Sequence, residues 1–244
     1  IDDAITRGAT AIVITPMDSD ALSTAVENCN AENIPVFTID RSITGGKVTT
    51  VLQSDNVECG RKVAREFVNQ IKKRGLKEVN LLQIHGQLGS SPSRDRDKGF
   101  WEVMELNPDI KINLIGEAAG DWMPTPAMEA TLAYLTANPE INAIYYEADV
   151  MAPGVFAAME QLGRLVPQSD PEHIINGGVD GTKFALESVR NGLMDVSISQ
   201  MPYSQGTVVA YLAYHAAKYG ADELPPELFF DTQVLTPENI GSYT

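Results

Sequence analysis

Seven short runs of apolar, often β-branched residues recur along the chain, and stretches of helical period separate most of them. The runs are AIVIT at 11–15, PVFTI at 35–39, VNLLQI at 79–84, INLI at 112–115, INAIYY at 141–146, HIINGGV at 173–179 and DVSIS at 195–199. Between them apolar residues return every three or four positions: Ala21, Ala25 and Cys29; Val63, Phe67 and Ile71; Val155, Met159 and Leu162; Val208, Leu212 and His215. Strands that alternate with amphipathic helices pair through right-handed crossovers, which lay helices over both faces of a parallel sheet. Short, continuously apolar runs fit strands buried on both sides. The pattern predicts an α/β fold, and 244 residues suffice for one large domain or two lobes of about 100 residues each. IDDAITRG at the start reads as the end of a helix, with Ile1, Ala4 and Ile5 on one face and Gly8 as its stop.

Composition excludes more than it proposes. The chain holds 33 acidic and 18 basic residues, a net charge of −15, which repels phosphate backbones and anionic lipid. Nucleic acid is therefore not an expected partner. No apolar run approaches the roughly 20 residues needed to span a bilayer. Cys29 and Cys59 lie in helix-like stretches where buried free thiols are common, and they form neither a CxxC pair nor a metal cluster with His85, His173 or His215. HGQLGSS at 85–91 lacks the spacing and the lysine of a phosphate-binding loop. No nucleophile elbow or Cys–His pair is present. Asp40 and Asp180 could face one another as a carboxylate pair, but neighbouring arginines would keep both ionised, leaving no proton donor. No catalytic residue, metal or cofactor is expected.

In open α/β sheets ligands sit beyond the carboxyl ends of the strands. Five runs end in polar groups: Asp40 and Arg41 after PVFTI, Arg94 and Arg96 after VNLLQI, Glu147 and Asp149 after INAIYY, Asp180 after HIINGGV, and Gln200 after DVSIS. Carboxylate, guanidinium and amide groups bond bidentately, as an uncharged ligand rich in hydroxyls requires, because each hydroxyl both donates and accepts. Trp122, in GDWMPTP after INLI, is placed to cover the apolar face of a sugar ring.

With RGATAIVITPMDSDAL, IPVFTIDRSITGG, VLQSDN, SRDRDKGF, NAIYYEADVMAPGVFAAM, GGVDGTKFAL and VSISQMPYSQG in this order, the chain resembles the ribose-type sugar-binding proteins of bacterial ABC importers. The resemblance implies two Rossmann-like lobes of the type I periplasmic binding protein fold, joined by a multi-strand hinge and closing on a ligand in the cleft. One lobe would take residues 1–54 and 201–230, the other 55–200 and 231–244. QSDN at 53–56 and the segments near Gln200 and Asp231 would be the crossings. The family's opening strand, its helix and the next strand would lie upstream of residue 1.

Carried over residue by residue, the resemblance assigns sugar contacts to Asp40, Arg41, Arg96, Asp180 and Gln200 and ring stacking to Trp122. Arg94 becomes a structural or surface charge. Where ribose binders carry Asn-Asp after the matching strand, this chain has Ala148-Asp149. An unpaired sugar hydroxyl there would cost about 1–3 kcal/mol, so a different sugar or a polyol is expected. Asp149 reads equally as a ligand contact or as the N-cap of the following helix. The implied function is the substrate-binding component of an ABC importer. It would be a periplasmic monomer in a Gram-negative source and would deliver a monosaccharide or polyol to the membrane permease. Two rivals share the fold: the effector-sensing core of a lac-repressor-type transcription regulator and the sugar-sensing domain of a membrane receptor.

Overall fold

All seven apolar runs form strands in the computed structural model of the protein, which describes residues 1–242. The chain divides into two units. The first takes Ile1–Asp55, Gly89–Pro92 and Met201–Asp231; the second takes Asn56–Leu88, Ser93–Gln200 and the residues from Thr232 onward.

The first unit is built on a parallel sheet of four strands: β1 (Ile12–Ile14), β2 (Val36–Ile39), β3 (Thr50–Ser54) and β9 (Glu227–Phe230), in that spatial order. Consecutive residues of β2 serve opposite faces. Val36 packs with Val26 and Cys29 of α2 (Ser23–Ala31) and with Ile5 of α1 (Asp2–Thr6). Phe37 packs with Val209 and Leu212 of α8 (Pro202–Tyr219). The short opening helix ends near Gly8, whose φ of 76° is a left-handed stop.

The second unit has a six-stranded sheet in the order β10-β8-β7-β6-β4-β5. Its strands are β4 (Glu78–His85), β5 (Lys111–Ala119), β6 (Ala143–Tyr146), β7 (Ile175–Asp180), β8 (Val196–Ser199) and β10 (Gln233–Leu235). All pairs are parallel except β10 with β8. Strand alternation again splits the core. Leu81, Ala143, Tyr145, Val179 and Ile198 face α3 (Asn56–Lys73) and α4 (Ser91–Glu105). Leu82, Ile84, Ile144 and Tyr146 face α5 (Pro124–Ala137), α6 (Ala152–Gln161) and α7 (Lys183–Arg190). A sheet covered on both sides needs strands that are apolar at consecutive positions, which is why β4 and β6 were visible as continuous runs.

Two features fix the helix that carries the first site residue. The backbones of α3 and α4 meet at Gly60 and Gly99: a Cβ on Gly60 would lie 2.1 Å from the Arg96 carbonyl oxygen, and one on Gly99 1.9 Å from that of Val57. One turn beyond Arg96, Phe100 stacks on Tyr145 of β6 with ring centroids 4.1 Å apart and planes 7° from parallel. Such a pair adds about 0.5–1.5 kcal/mol beyond the area it buries. Cys29 and Cys59 are both buried, and neither is in a disulfide.

Candidate functional site

The spatial order of the six-stranded sheet reverses between β4 and β6, where the chain leaves β4 for β5 on one side and returns to build β6 on the other. Carboxyl ends on either side of such a switch diverge and leave a crevice. The polar groups of this unit collect at these ends. Arg96 sits in the early part of α4 on the buried face shared with Ser93 and Phe100, whereas Arg94 and Lys98 point to solvent. Arg96 is 3% exposed. Its Nε donates to Asn56 Oδ1 at 2.9 Å and its Nη1 to the Glu147 carbonyl at 2.7 Å. Nη1 also lies 3.7 Å from Asp180 Oδ1, which accepts from Gln200 Nε2 at 2.5 Å. The guanidinium carbon stands 5.6 Å from the centre of the Trp122 ring, within cation–π range.

The backbone turns sharply to deliver that indole. Asp121 and Trp122 have φ of 52° and 58°, so the chain doubles back after β5. The ring lies directly over Gly86, where a Cβ would fall 2.0 Å from a ring carbon. Arg96, Trp122, Asp180 and Gln200, drawn from four separate sequence segments, thus form one cluster.

Below it lies a second polar layer. Glu147 is fully buried. One carboxylate oxygen faces His85 Nδ1 at 2.8 Å; the other accepts from Gly86 N at 2.7 Å and Ser93 Oγ at 2.5 Å. His85 Nε2 faces Glu117 Oε1 at 3.1 Å, so both ring nitrogens meet carboxylates, which can only accept. Burial alone would push the imidazole pKa down, but the hydrogen bond and charge of Glu147, with Glu117, outweigh it and raise the pKa to about 9. His85, Glu147 and Asp97 bring possible cation-ligating atoms within 4.8 Å of one another. Each of the three is already engaged, Asp97 with the Gln83 amide at 2.7 Å, so the arrangement is a hydrogen-bonded ion-pair network.

Ala148 and Asp149 follow β6. Ala148 is 2% exposed and packs into the core with Leu82, Ile84 and Tyr146. Asp149 does not cap its own helix. It opens a 3₁₀ turn, Asp149–Met151, and its Oδ2 accepts instead from Gly181 N at 2.9 Å, Thr182 N at 3.4 Å and Ser197 Oγ at 2.5 Å. Burial, then the charge of Asp180, push its carboxyl pKa up to about 7 against these bonds.

In the four-stranded unit Asp40 and Arg41 follow β2. Asp40 has a left-handed φ of 72°, and its carboxylate lies 3.4 Å from Arg41 Nε. Arg41 Nη1 donates to the Met17 carbonyl at 2.7 Å and the Pro16 carbonyl at 3.4 Å, tying the end of β2 to the loop after β1. Strand-end position points to Glu147 as well as to the assigned contacts, but nothing in the sequence pairs it with His85. Asn56, at the start of α3, is a third participant without a local signal; the Arg96 contact comes from the backbone path.

A family model described as "Periplasmic binding protein domain" matches residues 1–222. The chain is 33% identical over 202 residues to the ribose import binding protein of Bacillus subtilis, an alignment covering 83% of this chain and 61% of that relative. The chain therefore spans under two thirds of that relative's length. Among solved structures, it is similar to an ABC transporter periplasmic solute-binding protein from Actinobacillus succinogenes with bound D-allose. That match has 26% identity and a TM-score of 0.86, covering 99% of this chain and 82% of the other. The fructose-binding periplasmic domain of a hybrid two-component system is likewise similar, with 27% identity and a TM-score of 0.86 over 99% of this chain and 76% of the other.

Proposed function

Because this chain belongs to the periplasmic binding protein domain family, we propose that it binds a monosaccharide or polyol as the substrate-binding component of an ABC importer. In this reading it acts outside the cytoplasmic membrane as a monomer, without catalysis, and hands its ligand to a permease. The observation that carries the reading is Arg96 set among Trp122, Asp180 and Gln200 at the carboxyl ends of the six-stranded sheet. These groups suit a ring that carries hydroxyls on its edge and C–H bonds on its face. Arg96 with Asp180, and Arg41 with Asp40, each balance their own charge. A charge-balanced site favours a neutral ligand, because an ionised one would be desolvated without a counter-charge. The proposed contacts in the six-stranded unit are Arg96, Trp122, Asp180 and Gln200; the family resemblance adds Asp40 and Arg41 as proposed contacts.

The names of the similar proteins, which concern ribose, D-allose and fructose, agree with neutral sugars as the class. The fructose-binding sensor domain favours one second reading, a sugar-sensing receptor domain. A thermal-shift panel of pentoses, hexoses, deoxy sugars and polyols tests the binding claim. Ligand at about 1,000 times Kd should stabilise by about 4.1 kcal/mol, which shifts the midpoint clearly. A panel with no shift, on protein freed of co-purified ligand by unfolding and refolding, would refute sugar binding. With a hit in hand, binding of the loaded protein to permease-containing vesicles separates importer from receptor.

A further inference from the structure

The turn after β7 places Asp180 in an unusual backbone conformation. Its φ is 138°, in the region that L residues with a Cβ rarely adopt, and Gly181 follows with a φ of 74°. A residue with a Cβ does not keep such a φ unless its surroundings hold it, whereas Gly181 takes its φ freely. The holding group is Asp149, which reaches the turn from the end of the neighbouring strand β6. Its Oδ2 collects the N–H groups of Gly181 and Thr182 and the hydroxyl of Ser197, so a single carboxylate oxygen ties together the ends of β6, β7 and β8. Ser197 Oγ adds a second acceptor for Gly181 N at 3.2 Å. On the far side Thr182 caps α7, its hydroxyl accepting from Ala185 N at 3.2 Å, so the turn is fixed at both ends. Asp149 is itself fully buried.

We infer that Asp149 is a positioning residue of the site: its buried carboxylate holds the Asp180–Thr182 turn in the conformation that sets the Asp180 carboxylate against Arg96 and Gln200. The inference rests on the reading that Asp180 contacts the ligand. A carboxylate suits the task because it accepts from several donors at one oxygen without needing to donate.

The test uses the best sugar from the panel, calorimetric affinities, and amide spectra of the unliganded protein. Asp149→Ala should weaken binding by about 30-fold or more, since it leaves buried N–H groups of the turn without their acceptor. Asp149→Asn keeps an acceptor oxygen in place and should recover affinity to within about fivefold of the wild type. The Gly181 and Thr182 amide protons should move upfield in Asp149→Ala and return towards their wild-type positions in Asp149→Asn. A residue that only stabilised the fold would lower the unfolding midpoint and shift these two resonances but leave affinity unchanged. That result, with Asp180→Ala still losing binding, overturns the inference. If Asp180→Ala binds like the wild type, the contact reading fails instead. Should Asp149→Ala not fold, Ser197→Ala serves in its place. It should lower affinity about threefold or more and move the Gly181 amide in the same direction; no change in either contradicts the proposal.

Discussion

Arg96 is buried to 3% exposure, and each of its neighbours comes from a different part of the chain. Asn56 begins α3, Glu147 follows β6, Asp180 ends β7 and Trp122 follows β5. A planar guanidinium can meet all of these at once because its N–H groups diverge in one plane while its face remains available to an aromatic ring. A lysine could satisfy one of these partners and would stack poorly. Arg96→Lys is therefore expected to weaken sugar binding by about 10- to 100-fold by calorimetry. An affinity within a factor of two of the wild type would remove Arg96 from the site. At this scale the sequence points to residues whose chemistry and strand-end position coincide. Arg96 stood out by its spacing to Gly99-Phe100, and Asp180 by its place after a buried run. Ala148 packs into the core, since a residue just past a strand can point inward, and which side it takes depends on the turn that follows.

Among the elements, the strands that could be read in advance are those buried on both faces, where every position must be apolar. β3, β9 and β10 escaped for a related reason. β3 alternates buried with half-buried positions and ends in Gln53 and Ser54, while β9 and β10 are short strands at sheet edges. The strut linking β4, β5 and β6 through His85, Glu117 and Glu147 was not visible either, because its members are separated by 32 and 62 residues. The strut carries a pH signature. The His85 pKa is raised from 6.5 to about 9, so the folded state holds the proton more tightly than the unfolded chain. Its contribution to stability is complete below pH 6.5 and is lost as pH rises through about 9. Asp149, raised from 3.8 to about 7, acts in the same direction over a lower window, its contribution being lost as pH rises through about 7. The unfolding midpoint measured by calorimetry should fall from pH 6.5 to 9.5. His85→Gln should flatten that limb, and Asp149→Asn should flatten the part between pH 4 and 7. Parallel curves for His85→Gln and wild type would mean the histidine carries no stabilising charge.

The whole molecule is acidic, with a net charge of −15, yet the groups gathered at its strand ends are charge-balanced pairs. Overall charge disfavours anionic partners; the local pairs favour a neutral one. Motif order along the whole chain made the family legible, because each strand end in such a fold carries its polar residue to the same side of the sheet. Only the backbone path reveals the layer beneath: the acceptor role of Asp149 and the pairing of His85 with Glu147. The most direct test of the account is calorimetric titration of wild type and Asp180→Ala with the best sugar from the panel, run well below both unfolding midpoints. One site per chain is expected in the wild type, with a loss of about 100-fold or more in the variant, because a charged hydrogen-bonding partner is removed from a desolvated site. Equal affinities in the two proteins would contradict it.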